Sequence, residues 1–458
     1  MKSRKKKKEF YTEYTARNAL KNGSFIVRLS AIVFGLGCLV HKQIAKGILY
    51  LTSEILLIVY MVQTGFYNLS KFRTLGDVEQ QKVWNEAKSL YEYVDGDRSL
   101  IILLYGIVTL SLILVFFLIA KSSLKQAYRL ECQSKKGEQI LTLKQELKEL
   151  LNGNLPITLL TFPVLGVLMF TILPLVFMIS MAFTNYSVEG NKLVLFDWVG
   201  LENFRKIFDF GDSLGQTFWS VFGWTMVWAV VATFSNYILG MLLALFINWK
   251  EIRAKKMWRF CFALTVAIPH FVTLLIIKSM LQPEGAVNIL LRNRGLIGAT
   301  QSLPFFTDAT WARVVVILIN IWVGVPYTLL QVTGILQNIP TELYEAARVD
   351  GAGPIVTFMK ITLPYMLFVT TPYLITTFTG NVNNFNVIFL TTEGLPRSVG
   401  STAGKTDLLI TWLYKLTIEN QYFDVGAVVG IMTFVTLTIV SLVTFTFSGS
   451  NRNEEAFR

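Results

Sequence analysis

The chain has 458 residues, of which 53% are hydrophobic and only 16% are charged, and its mean hydropathy is +0.50. A chain this apolar exceeds what one water-soluble core buries, so lipid must be part of its solvent. Its three cysteines form no CxxC pair, and its two histidines are too few for a histidine-based metal site or a catalytic triad.

Apolar runs of spanning length recur along the chain from Gly47 onward. A transmembrane helix needs roughly 20 mostly apolar residues, and the runs predict about eight such helices. They lie near residues 47–66, 100–120, 158–183, 218–248, 261–281, 313–336, 365–391 and 425–447. The predicted fold class is therefore all-α, a polytopic integral membrane protein.

The distribution of basic residues predicts the orientation of these spans. The formal net charge is +12, and lysine and arginine concentrate in residues 2–8, in the loop after the second span and in the loop before the fifth. Short basic loops stay in the cytoplasm, so we expect both termini there, in the cytoplasmic membrane. Lysines beside a membrane segment are typical of contact with anionic lipid, and we expect no nucleic acid partner.

Two further apolar stretches are not counted as spans. Residues 25–40 are few and contain Arg28, and counting them would turn every basic loop outward, so an interfacial or re-entrant helix is expected. Between residues 121 and 154, leucines at helical spacing among Lys and Glu indicate either an amphipathic surface helix or a solvated connector.

Residues 339–364, IPTELYEAARVDGAGPIVTFMKITLP, interrupt two apolar spans with a predicted helix, a break and a second helix. Pro340 and Thr341 suit a helix start. The run from Asp350 through Gly351 to Pro354 ends that helix and begins the next, because glycine tolerates a left-handed turn and proline suits a first helical position. From composition alone, a helical hairpin lying on the membrane remains an equal alternative.

The EAARVDGAG run followed by ITLP resembles the EAA loop of the permease subunits of bacterial ABC importers. The resemblance extends from about residue 158 to the C-terminus and is to the maltose and maltodextrin permeases of the MalF type. It implies the ABC type I importer permease fold, in which this loop forms coupling helices that dock on a cytoplasmic ATPase. The implied coupling residues are Glu345, Ala346, Ala347, Asp350 and Gly351.

Polar residues interrupt the sixth and seventh spans. Asn320, Gly324 and Tyr327 stand at i, i+4 and i+7 and share one helix face, and Asn381 and Asn384 are three residues apart and are expected to share another. Polar side chains inside a span usually face the bundle interior or a cavity, and amides with a tyrosine suit a ligand with many hydroxyls. Packing between helices is the alternative explanation.

The resemblance implies that sugar is contacted at several of these positions and at two in the fifth span. The implied contacts are Asn320, Val323, Gly324, Tyr327, Asn381, Asn384, Val266 and His270. Gly380 stands where the relative has an aromatic ring, and Val266 and His270 stand where it has tyrosine and serine.

A second resemblance is rejected. Residues 400–406, GSTAGKT, are similar to a phosphate-binding loop but one residue short of its spacing, and no predicted strand precedes them. We therefore expect no cofactor on this chain, and ATP is expected to be bound and hydrolysed by a partner ATPase.

The expected function is a permease subunit of an ATP-driven sugar importer with maltose or maltodextrin as substrate, and not an enzyme. Its expected partners are a second, MalG-like permease in a heterodimer, a dimer of cytoplasmic ABC ATPases and an extracellular solute-binding protein. Another oligosaccharide such as raffinose is one alternative. A stand-alone secondary transporter is another, with Glu54 and Lys278 as its few intramembrane ionisable candidates.

The expected organisation has four parts. Residues 1–46 form a cytoplasmic or interfacial N-terminal segment, and residues 47–157 form two transmembrane helices with a basic cytoplasmic loop. Residues 158–447 form a six-helix permease core with the coupling loop at 339–364, and residues 448–458 form a cytoplasmic tail.

Overall fold

A computed structural model provides the structure of the protein. It describes residues 14–447, except for residues 80, 87, 89, 95, 143, 144, 146, 147, 149, 150, 154, 188–194 and 250. The chain divides into two compact units, one up to Gly200 and one from Leu201 onward. The basic start at residues 2–8 and the predicted tail at 448–458 lie outside the described residues.

The first unit contains short helices, three long helices and a hairpin. Its elements are α1 Ala16–Asn22, α2 Phe25–Leu29, α3 Leu36–Val40, α4 Ile44–Lys71, β1 Gln81–Asn85, β2 Leu90–Val94, α5 Ser99–Lys135 and α6 Leu155–Met181. The strands are antiparallel, with Trp84 opposite Tyr91. The hairpin was not predicted, and α5 continues beyond the predicted end of its span at residue 120.

Residues 25–40 form two helices of five residues each, α2 and α3, and neither is long enough to cross a membrane. The backbone between them is bonded by side chains from the long helices. Phe34 N donates to Glu54 Oε2 at 2.7 Å, and Gly35 N donates to Ser123 Oγ at 2.9 Å. Gly35 has a φ of +79°, a conformation that favours glycine. These bonds satisfy backbone groups that a break in a helix leaves unpaired.

The stretch between residues 121 and 154, where an amphipathic helix is one prediction, is described only in part. Helix α5 occupies its first part, up to Lys135. Ile140 and Leu141 are not helical, and Leu143, Leu147 and Leu150 lie outside the described residues. The choice between a surface helix and a connector therefore stays open.

The second unit is built from helices. They are α7 Glu202–Phe208, α8 Ser213–Asn248, α9 Lys255–Ala267, α10 His270–Met280, α11 Ala286–Asn293, α12 Ala309–Leu336, α13 Thr341–Val349, α14 Pro354–Thr357, α15 Leu363–Val382, α16 Phe385–Thr391, α17 Leu409–Tyr414 and α18 Phe423–Phe447. A π-helical turn, Phe358–Thr362, joins α14 to α15.

Within the described chain, 7 helices are long and apolar enough to cross a membrane, and a bent pair raises the total to as many as 8. The predicted all-α, polytopic class with about eight spans is thus confirmed. The fifth predicted span is not one straight helix, because α9 and α10 meet at an angle of 85°. Pro269 explains the break, since the residue before a proline avoids the helical region, and Ile268 has a ψ of 129°.

Helix α8 is the most buried of the spanning helices, and it packs against α12 and α15. Trp228 on α8 is fully buried in a cluster with Val316 and Ile319 of α12. Farther along α8, a Cβ built on Gly240 would lie 2.6 Å from Thr328 Cβ, so the glycine permits the close approach of α8 and α12. The close packing at Gly240 brings α8 and α12 together along the part of each helix that carries polar residues.

Candidate polar site between spanning helices

The structure brings together two predicted site residues from different helices, Asn320 and Asn384. Asn384 Nδ2 donates to Asn320 Oδ1 at 3.3 Å. Asn384 Oδ1 in turn accepts from Val387 N at 3.2 Å, so Asn384 also caps the start of α16. Asn320 is only 5% exposed, and its orientation is fixed by this amide pair.

The prediction that Asn381 and Asn384 share a helix face is wrong. Helix α15 ends at Val382, and Asn384 precedes α16 with a ψ of 80°, so no continuous helix joins the two residues. Asn381 turns instead to α8: its Nδ2 donates to Thr233 Oγ1 at 3.0 Å, and its carbonyl accepts from Trp228 Nε1 at 3.0 Å. Asn381 therefore joins α15 to α8, and Asn384 alone of the two meets Asn320.

The other predicted sugar-contacting residues of α12 become more exposed along the helix. The helix continues through Pro326, so Asn320, Gly324 and Tyr327 keep their common face. Tyr327 is 46% exposed, whereas Val323 packs against the buried cluster around Trp228. An exposed tyrosine two helical turns along the same face from a buried amide pair is an arrangement that a hydroxyl-rich ligand can use.

Val266 and His270 lie on the two sides of the 85° bend between α9 and α10. Both are half-buried. His270 begins α10 directly after Pro269. The sequence analysis did not predict this bend, which puts the two residues on helices of different direction.

A residue that the sequence pattern did not single out, Asn236, adjoins this site. A Cβ built on Gly324 would lie 2.7 Å from Asn236 Cγ, so the carboxamide of Asn236 rests against the Gly324 backbone. Asn236 is 5% exposed, as is Asn320. The only signal in the sequence is an asparagine within the apolar run of α8, and such a residue is equally typical of helix packing.

The predicted helix, break and helix of residues 339–364 is present. Helix α13 follows Pro340, Asp350 ends it, and α14 begins at Pro354. Gly351 has a φ of +75°, the left-handed conformation expected of it. Tyr344 OH lies 3.1 Å from Thr362 Oγ1, which ties α13 to the turn before α15.

The predicted coupling residues do not all face the same way. Glu345, Ala346, Asp350 and Gly351 are exposed, whereas Ala347 is 7% exposed and packs within the chain. Of the two alanines among the implied coupling residues, only Ala346 is exposed on the surface of α13. Ala347 lies on the side of α13 that faces the rest of the fold, where its small side chain permits close packing.

The two intramembrane ionisable candidates for a secondary transporter have structural partners. Glu54 is 8% exposed and accepts the Phe34 N–H described above. Lys278 forms an ion pair with Glu393. Neither group is therefore a free proton or ion carrier in this conformation, which weakens the secondary-transporter alternative.

The run that is similar to a phosphate-binding loop belongs to a buried ion-pair network. Asp407 and Lys415 pair at 2.6 Å, with side-chain exposures of 0% and 3%. Asp407 also accepts from Gly404 N at 2.7 Å and from Thr411 Oγ1 at 2.8 Å. The backbone N–H of Gly404 thus binds a carboxylate of the same chain rather than a phosphate. The sequence pattern did not predict this network.

Comparisons with known proteins agree with this architecture. Residues 236–452 match the sequence model of the family described as binding-protein-dependent transport system inner membrane component. The maltodextrin transport system permease protein MdxF of Bacillus subtilis (strain 168) is 35% identical over 438 residues, which cover 93% of this chain and 96% of that protein. The galactooligosaccharides transport system permease protein GanP of the same organism is 34% identical over 433 residues, 94% of this chain and 99% of that protein.

A solved structure supports the fold. The crystal structure of a bacterial ABC transporter involved in the import of the acidic polysaccharide alginate matches with a TM-score of 0.55 and 22% sequence identity, over 68% of this chain and 100% of that chain. The resemblance predicted from the EAA loop is confirmed. The chain belongs to the inner membrane components of binding-protein-dependent transport systems, and it is a non-catalytic permease subunit of an ABC importer.

Proposed function

We propose that this permease subunit forms half of a pathway for an oligosaccharide, with a maltodextrin as the leading substrate. The observation that carries the proposal is the amide pair of Asn320 and Asn384 at the junction of α12, α15 and α16. Burying side-chain amides in apolar spans is energetically unfavourable, and binding of a hydroxyl-rich solute along a transport path would explain their presence. The exposed Tyr327 adds a ring with a hydroxyl on the same helix face.

The choice of sugar is supported by the names of relatives. One relative of similar identity is a maltodextrin permease, and another is a galactooligosaccharide permease. Both substrates are chains of hexoses, so the polar site fits either class. Maltodextrin is our first candidate, galactooligosaccharide the second, and raffinose remains a further alternative.

Membership of the family supports the proposed assembly. A second, MalG-like permease completes the pathway, a dimer of ABC ATPases binds on the cytoplasmic side, and an extracellular solute-binding protein delivers the sugar. Basic loops and termini lie in the cytoplasm in this arrangement. Helix α13 then faces the ATPase, with Glu345 and Asp350 as exposed carboxylates for a basic partner surface.

The test is uptake of radiolabelled maltotriose, a galactooligosaccharide and raffinose by cells that lack this chain and receive either the wild type or Asn384→Ala. Loss of maltotriose uptake that only the wild type restores supports both the substrate and the amide pair. Restoration by Asn384→Ala with an unchanged half-saturating concentration contradicts the role of the pair. If uptake of only one of the other two sugars depends on this chain, that sugar is the substrate.

A further inference from the structure

A cavity of about 380 Å³ lies at the end of α12 that is remote from α13, and we call it the outer cavity. Its wall includes Phe305, Phe306 and Thr307, which directly precede α12. Helix α12 has 28 residues and is therefore about 42 Å long, and α13 follows its other end. In the proposed assembly α13 faces the ATPase, so the outer cavity lies on the extracellular side, where the sugar arrives.

The lining of the outer cavity combines apolar and polar side chains. Phe305 and Phe306 contribute aromatic rings, and Gln282, Ser302 and Thr307 contribute an amide and two hydroxyl groups. Sites for small molecules usually have this mixture, with volumes of roughly 300–1,000 Å³. The outer cavity therefore has the size and the composition of a site for a small ligand.

Two charged side chains of this lining form an ion pair. Lys278 of α10 pairs with Glu393, and the two side chains are 27% and 57% exposed. Because the two charges balance, an ionic ligand would be repelled by one of them. A hydroxyl group can accept from the ammonium or donate to the carboxylate, and hydrogen bonds to charged groups are the stronger ones. The pair therefore favours a neutral ligand that carries several hydroxyl groups.

The segment that carries Glu393 is held in place by the buried pair of Asp407 and Lys415. Lys415 Nζ donates to Glu393 O at 2.8 Å as well as to Asp407 Oδ2. Thr392 Oγ1 lies 2.8 Å from the hydroxyl of Thr406, which belongs to the run that is similar to a phosphate-binding loop. This run and its ion pair thus fix one wall of the outer cavity, and a wall that is already ordered lowers the entropic cost of binding.

The outer cavity is built on helices that also carry the predicted sugar contacts. On α10, Lys278 stands eight residues after His270, and on α16, Thr391 stands seven residues after Asn384. These separations correspond to about 10–12 Å along a helix. The same helices therefore carry a polar site near their beginning and the outer cavity near their end.

Buried apolar side chains lie between the two sites. Leu274 of α10 and Val387 of α16 belong to the buried cluster around Trp228. Phe305 belongs to this cluster and also lines the outer cavity, so the cluster forms the floor of the cavity. Exposed residues such as Ser302 complete the wall, and the cavity opens to solvent. A ligand can therefore enter it without any movement of the spanning helices.

We propose that the outer cavity is a subsite that binds one hexose unit of the oligosaccharide before the sugar enters the pathway. The Glu393 carboxylate accepts a hydrogen bond from one hydroxyl group, and the Lys278 ammonium donates to a neighbouring one. Phe305 and Phe306 supply the apolar surface against which the sugar ring packs. The inference rests on the proposed function, because it takes the same class of substrate.

The test is binding of maltotriose by the purified full chain in detergent, without binding protein or ATPase, followed by saturation-transfer NMR. Glu393→Ala should raise the half-saturating concentration roughly ten- to hundredfold, because a hydrogen bond to a charged group is lost. Ser302→Trp should also raise it, because the indole fills the cavity while the ion pair stays in place. Both positions are exposed, so we expect the two variants to fold.

The matched control is Glu284→Ala. Glu284 pairs with Arg292 at 2.8 Å, and neither residue is in the described lining of the outer cavity. Arg292 keeps its hydrogen bonds to the carbonyl groups of Pro283 and Gln301, so the local backbone stays in place. We expect this variant to leave the half-saturating concentration unchanged. Asn384→Ala should leave it unchanged as well, because Asn384 belongs to the other site.

Three results would overturn the inference. One is wild-type protein that shows no saturable binding, and another is an unchanged half-saturating concentration in both Glu393→Ala and Ser302→Trp. If these two variants lower uptake by cells but not binding of maltotriose, the cavity contacts the solute-binding protein instead. Failure of the proposed function is recognised separately, because uptake of maltotriose, galactooligosaccharide and raffinose would then not depend on this chain.

Discussion

Replacing Asp407 by asparagine should destabilise the second unit strongly. The change keeps the size of the side chain but removes the charge that faces Lys415 at 2.6 Å. Both side chains are at most 3% exposed, so water does not replace the lost partner. Breaking a buried pair by removing one charge typically costs about 3–5 kcal/mol, and we expect a loss of this size in the free energy of unfolding.

The expected cost of removing both charges is smaller. In Asp407→Leu with Lys415→Met no buried charge is left alone, but Gly404 N loses its acceptor, whereas Thr411 Oγ1 keeps the Leu408 carbonyl. One unpaired buried group of this kind costs about 1–3 kcal/mol, so the double variant should be more stable than Asp407→Leu or Lys415→Met alone. The exposed pair of Glu202 and Lys206, 58% and 42% exposed, provides the control.

The assay is unfolding of the purified protein in detergent, followed by the fluorescence of its tryptophans. Trp412 is fully buried, and its Nε1 donates to Thr402 Oγ1 at 3.0 Å, so it reports on this network. Glu202→Gln should change the free energy of unfolding by less than about 1 kcal/mol. Two results would contradict this prediction. One is a loss of less than about 1 kcal/mol in the free energy of unfolding of Asp407→Asn. The other is a double variant that is less stable than both Asp407→Leu and Lys415→Met.

Three further predictions concern other parts of the chain. The Lys71 ammonium is the main cause that holds the pKa of the Asp97 carboxyl well below its usual range. The stability that this pair contributes is therefore present at neutral pH and is lost only as the pH falls below about 4. Thermal melting of the wild type and of Asp97→Asn between pH 8 and pH 3 checks this. Tyr237→Phe removes the 2.8 Å hydrogen bond to Thr370 and should cost about 0.5–1.5 kcal/mol in the same unfolding assay. Gly351→Ala places a side chain at a φ of +75° and should cost about 1–2 kcal/mol, with reduced uptake per ATP hydrolysed.

The parts of the fold that depend on local sequence were predictable. The number and type of spans follow from the length of apolar runs, and seven or eight were found. The break after α13 was predictable because Gly351 and Pro354 act on their own backbone. The bend at Pro269 had a signal as well, but one proline in an apolar run does not distinguish a kink from a sharp break.

The contacts that join distant segments were not predictable. Asn381 bonds Thr233, which is 148 residues away, so its local pattern with Asn384 was misleading. Glu54 accepts from Phe34 N across 20 residues, and the sequence offers no sign of that pairing. The position of Asn236 against Gly324 depends on how closely α8 approaches α12, which is a property of tertiary packing.

The most direct test of the central claim is uptake of labelled maltotriose into proteoliposomes that contain this chain with its partner permease and ATPase. The loaded binding protein is supplied outside and ATP is trapped inside. We expect uptake only when ATP and the ATPase are both present, and we expect Glu345→Ala to abolish it. Uptake by the chain without the ATPase, driven by an ion gradient, would contradict the assignment.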